Sequence, residues 1–227
     1  MGTTQSIPAN RSFILIGQLA NGKSTLGNLI LGGGVNTPFK IHAHLKRSCY
    51  TRGTQTSETM IKSSLIYGNK FPEEDIRIQV VDQPGLGDPR YSLERYSQFL
   101  ITCLKESNAE ISTTFIITIK ISSVKLDNET VSALFDLSYL LGQFHYNFFS
   151  NAIIVFTHID EIRLRDGNKN IDQIITDITE NEQWIRLTEI LQRVNNRYMC
   201  VNAMNREPGY REEILQKLFE LSKPVFQ

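Results

Sequence analysis

Apolar residues along this chain fall into short strand-length runs separated by stretches of helical spacing. Ser12-Phe13-Ile14-Leu15-Ile16 and Ala152-Ile153-Ile154-Val155-Phe156 are near-continuous apolar runs, which reads as strands buried on both faces of a parallel sheet. Met60–Tyr67 and Ile76–Val81 are two further strand segments. The turn chemistry between them, Gly68-Asn69-Lys70-Phe71-Pro72, predicts an antiparallel hairpin. Thr113–Ile121 and Arg197–Val201 complete the strands. Helices are predicted behind the first strand, with Leu26, Leu29 and Ile30 on one face, and over 92–106, 126–141, 170–195 and 210–221. The apolar residues of these helices, such as Val131, Leu134, Phe135 and Leu137, or Trp184, Leu187 and Leu191, read as core. Strands alternating with helices predict an α/β fold. Its central sheet is mostly parallel with one antiparallel strand, and helices cover both faces. The predicted domain spans residues 12–222, between a flexible leader (1–11) and a short tail (223–227).

The junction of the first strand and first helix carries the strongest chemical signal. Gly17-Gln18-Leu19-Ala20-Asn21-Gly22-Lys23-Ser24 has two glycines, then Lys and Ser, at phosphate-loop spacing. Strand, glycine loop and helix form the context that motif requires. Backbone N–H groups of such a loop point inward at a polyphosphate, and the helix start adds partial positive charge. Lys23 would reach the outer phosphates, and the Ser24 hydroxyl would ligate magnesium. This predicts a P-loop NTPase with Gly17, Asn21, Gly22, Lys23, Ser24 and Thr25 around the nucleotide.

Two later strand ends extend the site. Ile76–Val81 runs into Asp82-Gln83-Pro84-Gly85. Asp82 would hold magnesium through water opposite Ser24, and the Gly85 N–H would sense the terminal phosphate. The hairpin before it is a feature of switch GTPases and not of most P-loop kinases. Ala152–Phe156 runs into Thr157-His158-Ile159-Asp160. A carboxylate at Asp160 would accept two hydrogen bonds from guanine, which adenine cannot offer, and His158 would stack on the base. Taken alone, His158 reads as a structural histidine and Asp160 as a helix cap. Asn202 ends the last strand beside the base pocket. Between these elements, residues 35–57 are polar and lack periodicity, which in a compact domain marks a functional loop.

Composition narrows the picture. Lys+Arg and Asp+Glu are equal at 24 each in 227 residues, so no global field attracts nucleic acid. The 3 cysteines, Cys49, Cys103 and Cys200, have no close pair, which argues against a disulfide framework or a zinc site and for a reducing, cytoplasmic compartment. No apolar run approaches the length of a membrane span. Met1-Gly2-Thr3-Thr4-Gln5-Ser6 fits the N-myristoylation pattern at Gly2, although a plain polar leader is the stronger reading. One acyl chain would give only marginal, peripheral membrane contact.

The helix run Gly27-Asn28-Leu29-Ile30-Leu31-Gly32 resembles the Gly-Asn-x-Ile-Leu-Gly signature of the GIMAP family, the immunity-associated GTPases called avirulence-induced-gene type in plants. Ile78–Leu86 is similar to that family's Val-Val-Asp-Thr-Pro-Gly-Leu, with Gln83 in place of Thr. Phe156–Glu161 and Asn196–Asn202 resemble its later motifs. The resemblance runs over residues 12–222. It implies a G domain binding GTP/GDP and Mg2+, in which His158, Asp160 and Asn202 hold guanine. A switch-I threonine would cap the terminal phosphate and complete the magnesium shell, and Thr51 and Thr54 are both candidates. Lys23, Thr54 and Gly85 would then act directly at the terminal phosphate. The resemblance also implies nucleotide-dependent self-association through the G-domain faces.

Three positions depart from the family. Ala20 replaces a loop glycine, and Gln83 the threonine already noted. Lys125 replaces an arginine able to act on a partner's site, which leaves Arg52 or Arg90 as substitutes. Leu86, which the family motif shares, follows Gly85 where many other GTPases carry the glutamine that orients water. The expectation is a switch or assembly GTPase with slow hydrolysis completed on self-association. The alternative is a GTP-binding scaffold without turnover. An ATP-dependent kinase or ATPase is opposed by Asp160 and the hairpin.

Overall fold

The computed structural model describes residues 10–33, 37–40, 53–68, 73–106, 111–121, 128–161, 173, 176 and 185–222. Gly2, Thr51, Arg52, Lys125 and Trp184 lie outside the described residues. The elements in chain order are β1 (Asn10–Ile16), α1 (Lys23–Leu31), β2 (Gln55–Lys62), α2 (Ser63–Tyr67), β3 (Asp75–Asp82), α3 (Leu93–Glu106), β4 (Ile111–Lys120), α4 (Asn128–Gly142), β5 (Ala152–Thr157), α5 (Ile185–Arg193), β6 (Tyr198–Cys200) and α6 (Tyr210–Leu221). The first strand begins at Asn10, inside the expected leader, because Asn10 and Arg11 already pair with Ile111 and Ile78.

The sheet order is β2-β3-β1-β4-β5-β6. Every neighbouring pair is parallel except β2 with β3, which is the predicted antiparallel strand. One apolar layer lies between the sheet and α1 and α6, with Phe13, Leu26, Ile30, Val80 and Phe219 among its buried members. The other lies between the sheet and α3, α4 and α5, with Val81, Leu100, Leu134, Phe148 and Leu191. Helices therefore cover both faces, as the alternation of strands and helices requires.

The strand expected over Met60–Tyr67 is half strand and half helix. β2 stops at Lys62, opposite Asp75, where β3 begins. Ser63 closes the hairpin: its N–H donates to Glu74 O (2.8 Å) and its Oγ accepts the Glu74 N–H (3.0 Å). Beyond that point no strand partner continues, so the chain winds into α2 and docks on α6. Tyr67 meets Phe219 edge-on and Gln216 donates to Leu65 O at 2.8 Å. Apolar Leu65-Ile66-Tyr67 thus found a helix to bury against instead of a strand to pair with.

The polar stretch 35–57 is anchored at both ends. Gln55–Ser57 belongs to β2. Near the other end Phe39 is buried against α1, whose Gly27 leaves room for it: a Cβ there would lie 2.8 Å from the Phe39 ring. Asn28 then clamps the Phe39 backbone, donating from Nδ2 to its carbonyl (2.8 Å) and accepting its N–H on Oδ1 (3.0 Å). The Gly27-Asn28 pair is therefore a packing device.

Two outcomes are expected in urea unfolding. Asn28→Ala strands a buried N–H and a buried carbonyl, and costs about 2–3 kcal/mol. Ala20 is held at φ 63, in the left-handed region. Ala20→Gly relieves that backbone and stabilises by about 0.5–1 kcal/mol.

Candidate functional site

The expected site residues gather at the carboxyl ends of the parallel strands, where open α/β sheets bind ligands. The loop after β1 is braced by two neighbouring strands. Thr118 Oγ1 of β4 donates to Ile16 O (3.1 Å), and Asn21 Nδ2 donates to Thr118 O (3.0 Å). Thr157 Oγ1, at the end of β5, donates to Asn21 O (2.9 Å). Gly17 presses on the same place: a Cβ there would sit 2.3 Å from Thr118 Oγ1. Asn21 is thus the loop's tie to the sheet. Thr118 and Thr157 belong to the site although sequence reasoning missed them. Their only signal was hydroxyls at strand positions otherwise filled by apolar residues.

Inside the braced loop Lys23 is buried, with Nζ donating to Gly17 O (3.0 Å) and Gln18 O (2.8 Å). An ammonium at the mouth of α1 lies beside the N–H groups of Lys23, Ser24 and Thr25, which have no partner within the helix's own ladder; the first ladder bond is Leu26 N–H to Gly22 O. This is a concentration of positive charge and donors suited to a phosphate chain.

Ser24 Oγ donates to Asp82 Oδ2 at 2.6 Å, and Asp82 is fully buried. A hydroxyl and a carboxylate are hard oxygen donors, and two of them fit magnesium, which takes its other positions from phosphates and water. Among the described residues no group of three or more His, Cys, Asp or Glu side chains could hold a metal alone. The residues that follow Asp82 fold onto the loop. Leu86 N–H donates to Gly17 O (2.9 Å), and Leu86 bridges Gln18 as in a parallel pair. A Cβ on Gly85 would lie 2.9 Å from Leu19 N, so the two backbones are in contact. The Leu86 side chain is in the core, as its character demands. Beside this contact Gln18, Leu19, Leu86, Gly87, Glu129, Thr130 and Ala133 line a cavity of about 270 Å³, with Gln18 hydrogen-bonded to Thr130.

At the base end, His158 is in the left-handed region (φ 59) and half-buried. Its Cε1 would be 3.2 Å from a Cβ on Gly22, and its Nδ1 is 2.9 Å from Thr157 Oγ1. Burial, and then the Lys120 ammonium, hold the imidazole below its usual pKa, against the opposing pull of Glu161 and Asp160. Lys120 also pairs with Glu161 at 2.9 Å. Asp160 lies in the short helical turn directly after His158. Asn202 reaches the same level, since Phe156 pairs with Cys200 two residues earlier. Its Oδ1 accepts the Met204 N–H (3.0 Å), and its own N–H donates to Tyr210 Oη (2.8 Å).

Two expected groups are engaged elsewhere. Thr54 Oγ1 donates to Gln83 Oε1 at 3.0 Å. Arg90, a substitute for the missing arginine, wraps Asp88: Nε and Nη2 donate to its carboxylate at 3.1 Å and 2.8 Å, and the guanidinium lies over Tyr91.

The chain is similar to known proteins in sequence and in fold. The chain is 26% identical over 215 residues to immune-associated nucleotide-binding protein 9 of Arabidopsis thaliana, covering 95% of this chain and 55% of that protein. It is 24% identical over 211 residues to immune-associated nucleotide-binding protein 7 of the same plant, covering 92% and 59%. The chain thus spans somewhat over half the length of these curated relatives. In fold it is similar to a solved structure from work on the chloroplast translocon components atToc33 and psToc159, with a TM-score of 0.63 and 11% identity over 96% of this chain and 85% of that one. The fold is accordingly a P-loop G domain. The AIG1 family model matches residues 11–227, and this chain belongs to the AIG1 family.

Proposed function

We propose that this chain is a GTP-binding domain that acts as a nucleotide-controlled switch or assembly GTPase, with Mg2+ and GTP/GDP as its ligands. The observation that carries the reading is the Ser24–Asp82 contact at the mouth of the loop that encloses Lys23. Two strands across the sheet from β1, at the end of β5, His158 comes close to Gly22, and Asp160 follows in the same turn. In this reading Lys23 and the α1 N–H groups hold the phosphates. Ser24 and Asp82 hold magnesium, which would offset phosphate charge. Asp160 selects guanine and His158 flanks it. The relatives' names describe nucleotide binding, and dimerization is important for the GTPase activity of the translocon components atToc33 and psToc159.

Hydrolysis by this chain is slow in isolation and completed by self-association. Leu86 has no group to orient water, and Arg90 is held by Asp88. The half-exposed Leu19 and the cavity beside it offer a partner copy a surface next to the phosphates. The same two facts favour a second reading, a GTP-dependent scaffold that does not turn over. Hydrolysis rate per molecule, measured against protein concentration, separates them: a rising rate supports the first, and no cleavage even in a single turnover supports the second. The chain is cytoplasmic in this proposal, with peripheral membrane contact where Gly2 is acylated.

Two results are expected. Wild-type protein binds GTP and GDP at least 100-fold more tightly than ATP, and Asp160→Ala removes that preference by deleting the paired acceptor of guanine. Calorimetry with the three nucleotides checks this, and equal affinity for ATP in the wild type would end the guanine assignment. The second concerns pH. The folded His158 pKa lies below the unfolded value of about 6.5. The folded state therefore binds fewer protons in the interval between them, and stability present above the unfolded pKa is lost as pH falls through the folded one. His158→Asn tolerates the positive φ but does not titrate. The difference in melting temperature between it and wild type should shift with pH below about 6.5 and stay flat above.

A further inference from the structure

Neighbouring residues of a strand point to opposite faces of the sheet. Val80 lies in the layer with α1 and α6, and Val81 in the layer with α3, α4 and α5. Asp82 accordingly faces α1, where it meets Ser24. Gln83 faces the other way, toward α3, where its Nε2 donates to Cys103 Sγ at 3.7 Å. The antiparallel register pairs Gln55 with Asp82, so Thr54 stands opposite Gln83 and shares its face. Their 3.0 Å hydrogen bond is the direct result, and the Gln83 side chain has 0% exposure.

We propose that Gln83 is a positioning residue: it fastens the strand-side end of the polar segment to the Asp82–Gly85 turn and to α3, and it makes Thr54 an anchor that ligates neither metal nor terminal phosphate. The assignment of metal and phosphate rests on the function proposed above; the clasp itself does not. A buried glutamine suits this role because it both accepts and donates. Its Oε1 takes the Thr54 hydroxyl while its Nε2 reaches Cys103. The threonine that the related motif carries at this position is two atoms shorter and could not span both. Gln83 also faces away from Ser24, so it does not replace the water-orienting group that Leu86 lacks.

The test is a double-mutant cycle on Thr54→Val and Gln83→Leu in the full chain. Each single variant is expected to raise the unfolding constant about tenfold, and the double variant about tenfold rather than a hundredfold. Thr54→Ser keeps the hydroxyl and restores the wild-type value. Release of bound GDP should speed up several-fold in each single variant and no further in the double, because the same fastening is lost. The ratio of GTP to GDP affinity in Mg2+ should stay within about threefold of wild type in Thr54→Val, against the tenfold or greater loss expected when a charge-assisted ligand is removed. Additive stabilities, or a selective tenfold loss of GTP affinity in Thr54→Val with stability unchanged, would overturn the proposal. If wild-type protein binds no guanine nucleotide, the function proposed above fails, while the unfolding cycle still decides the clasp.

Discussion

The hydrogen bond from Ser24 to the fully buried carboxylate of Asp82 is the contact on which the site depends. A buried carboxylate is costly unless donors or a cation compensate it. Here the compensation comes from the first turn of α1, so the helix must start where it does and the loop before it must close within a few residues. The Asn21 ties to Thr118 and Thr157 hold that closure from the side of β4 and β5. The Leu86–Gly17 hydrogen bond holds it from the side of β3. The loop is thus fixed by three strands, and its shape is a property of the sheet.

The same logic explains residues that look functional by pattern and are structural by contact. Gly27 and Asn28 stand directly behind the loop, within a motif that marks the family. Gly27 gives Phe39 the space to reach α1, and Asn28 fastens the Phe39 backbone. Gln83 and Thr54 fasten the opposite end of the segment. The described ends of the polar stretch are therefore held by two side-chain clamps, one on each face of the sheet. Each clamp is buried and costs free energy to open.

Catalytic sparseness is the other theme. The buried Leu86 contributes packing only, and Arg90 is matched by a buried carboxylate that fixes its geometry. Among the described residues the site is well equipped to hold charge, through Lys23 and the α1 N–H groups.

The strand and helix order, the antiparallel strand, the phosphate loop, and the Asp82 and Asp160 strand ends were legible in the sequence because their causes are local. Apolar runs bury strands. A Gly-x-x-x-x-Gly-Lys-Ser spacing constrains a short backbone path. Acidic residues at strand ends lie within the segments that position them. Thr51 and Thr54 could not be told apart because sidedness depends on register. Only the pairing of Gln55 with Asp82 turns Thr54 toward α3. The switch from β2 to α2 at Ser63 was hidden for a similar reason: it follows from where β3 begins and from α6, more than a hundred residues later, offering Phe219 to Tyr67. The braces from Thr118 and Thr157 exist only once three strands lie side by side. Local chemistry determined which residues could form the site; non-local register and helix docking decided which way each one faces.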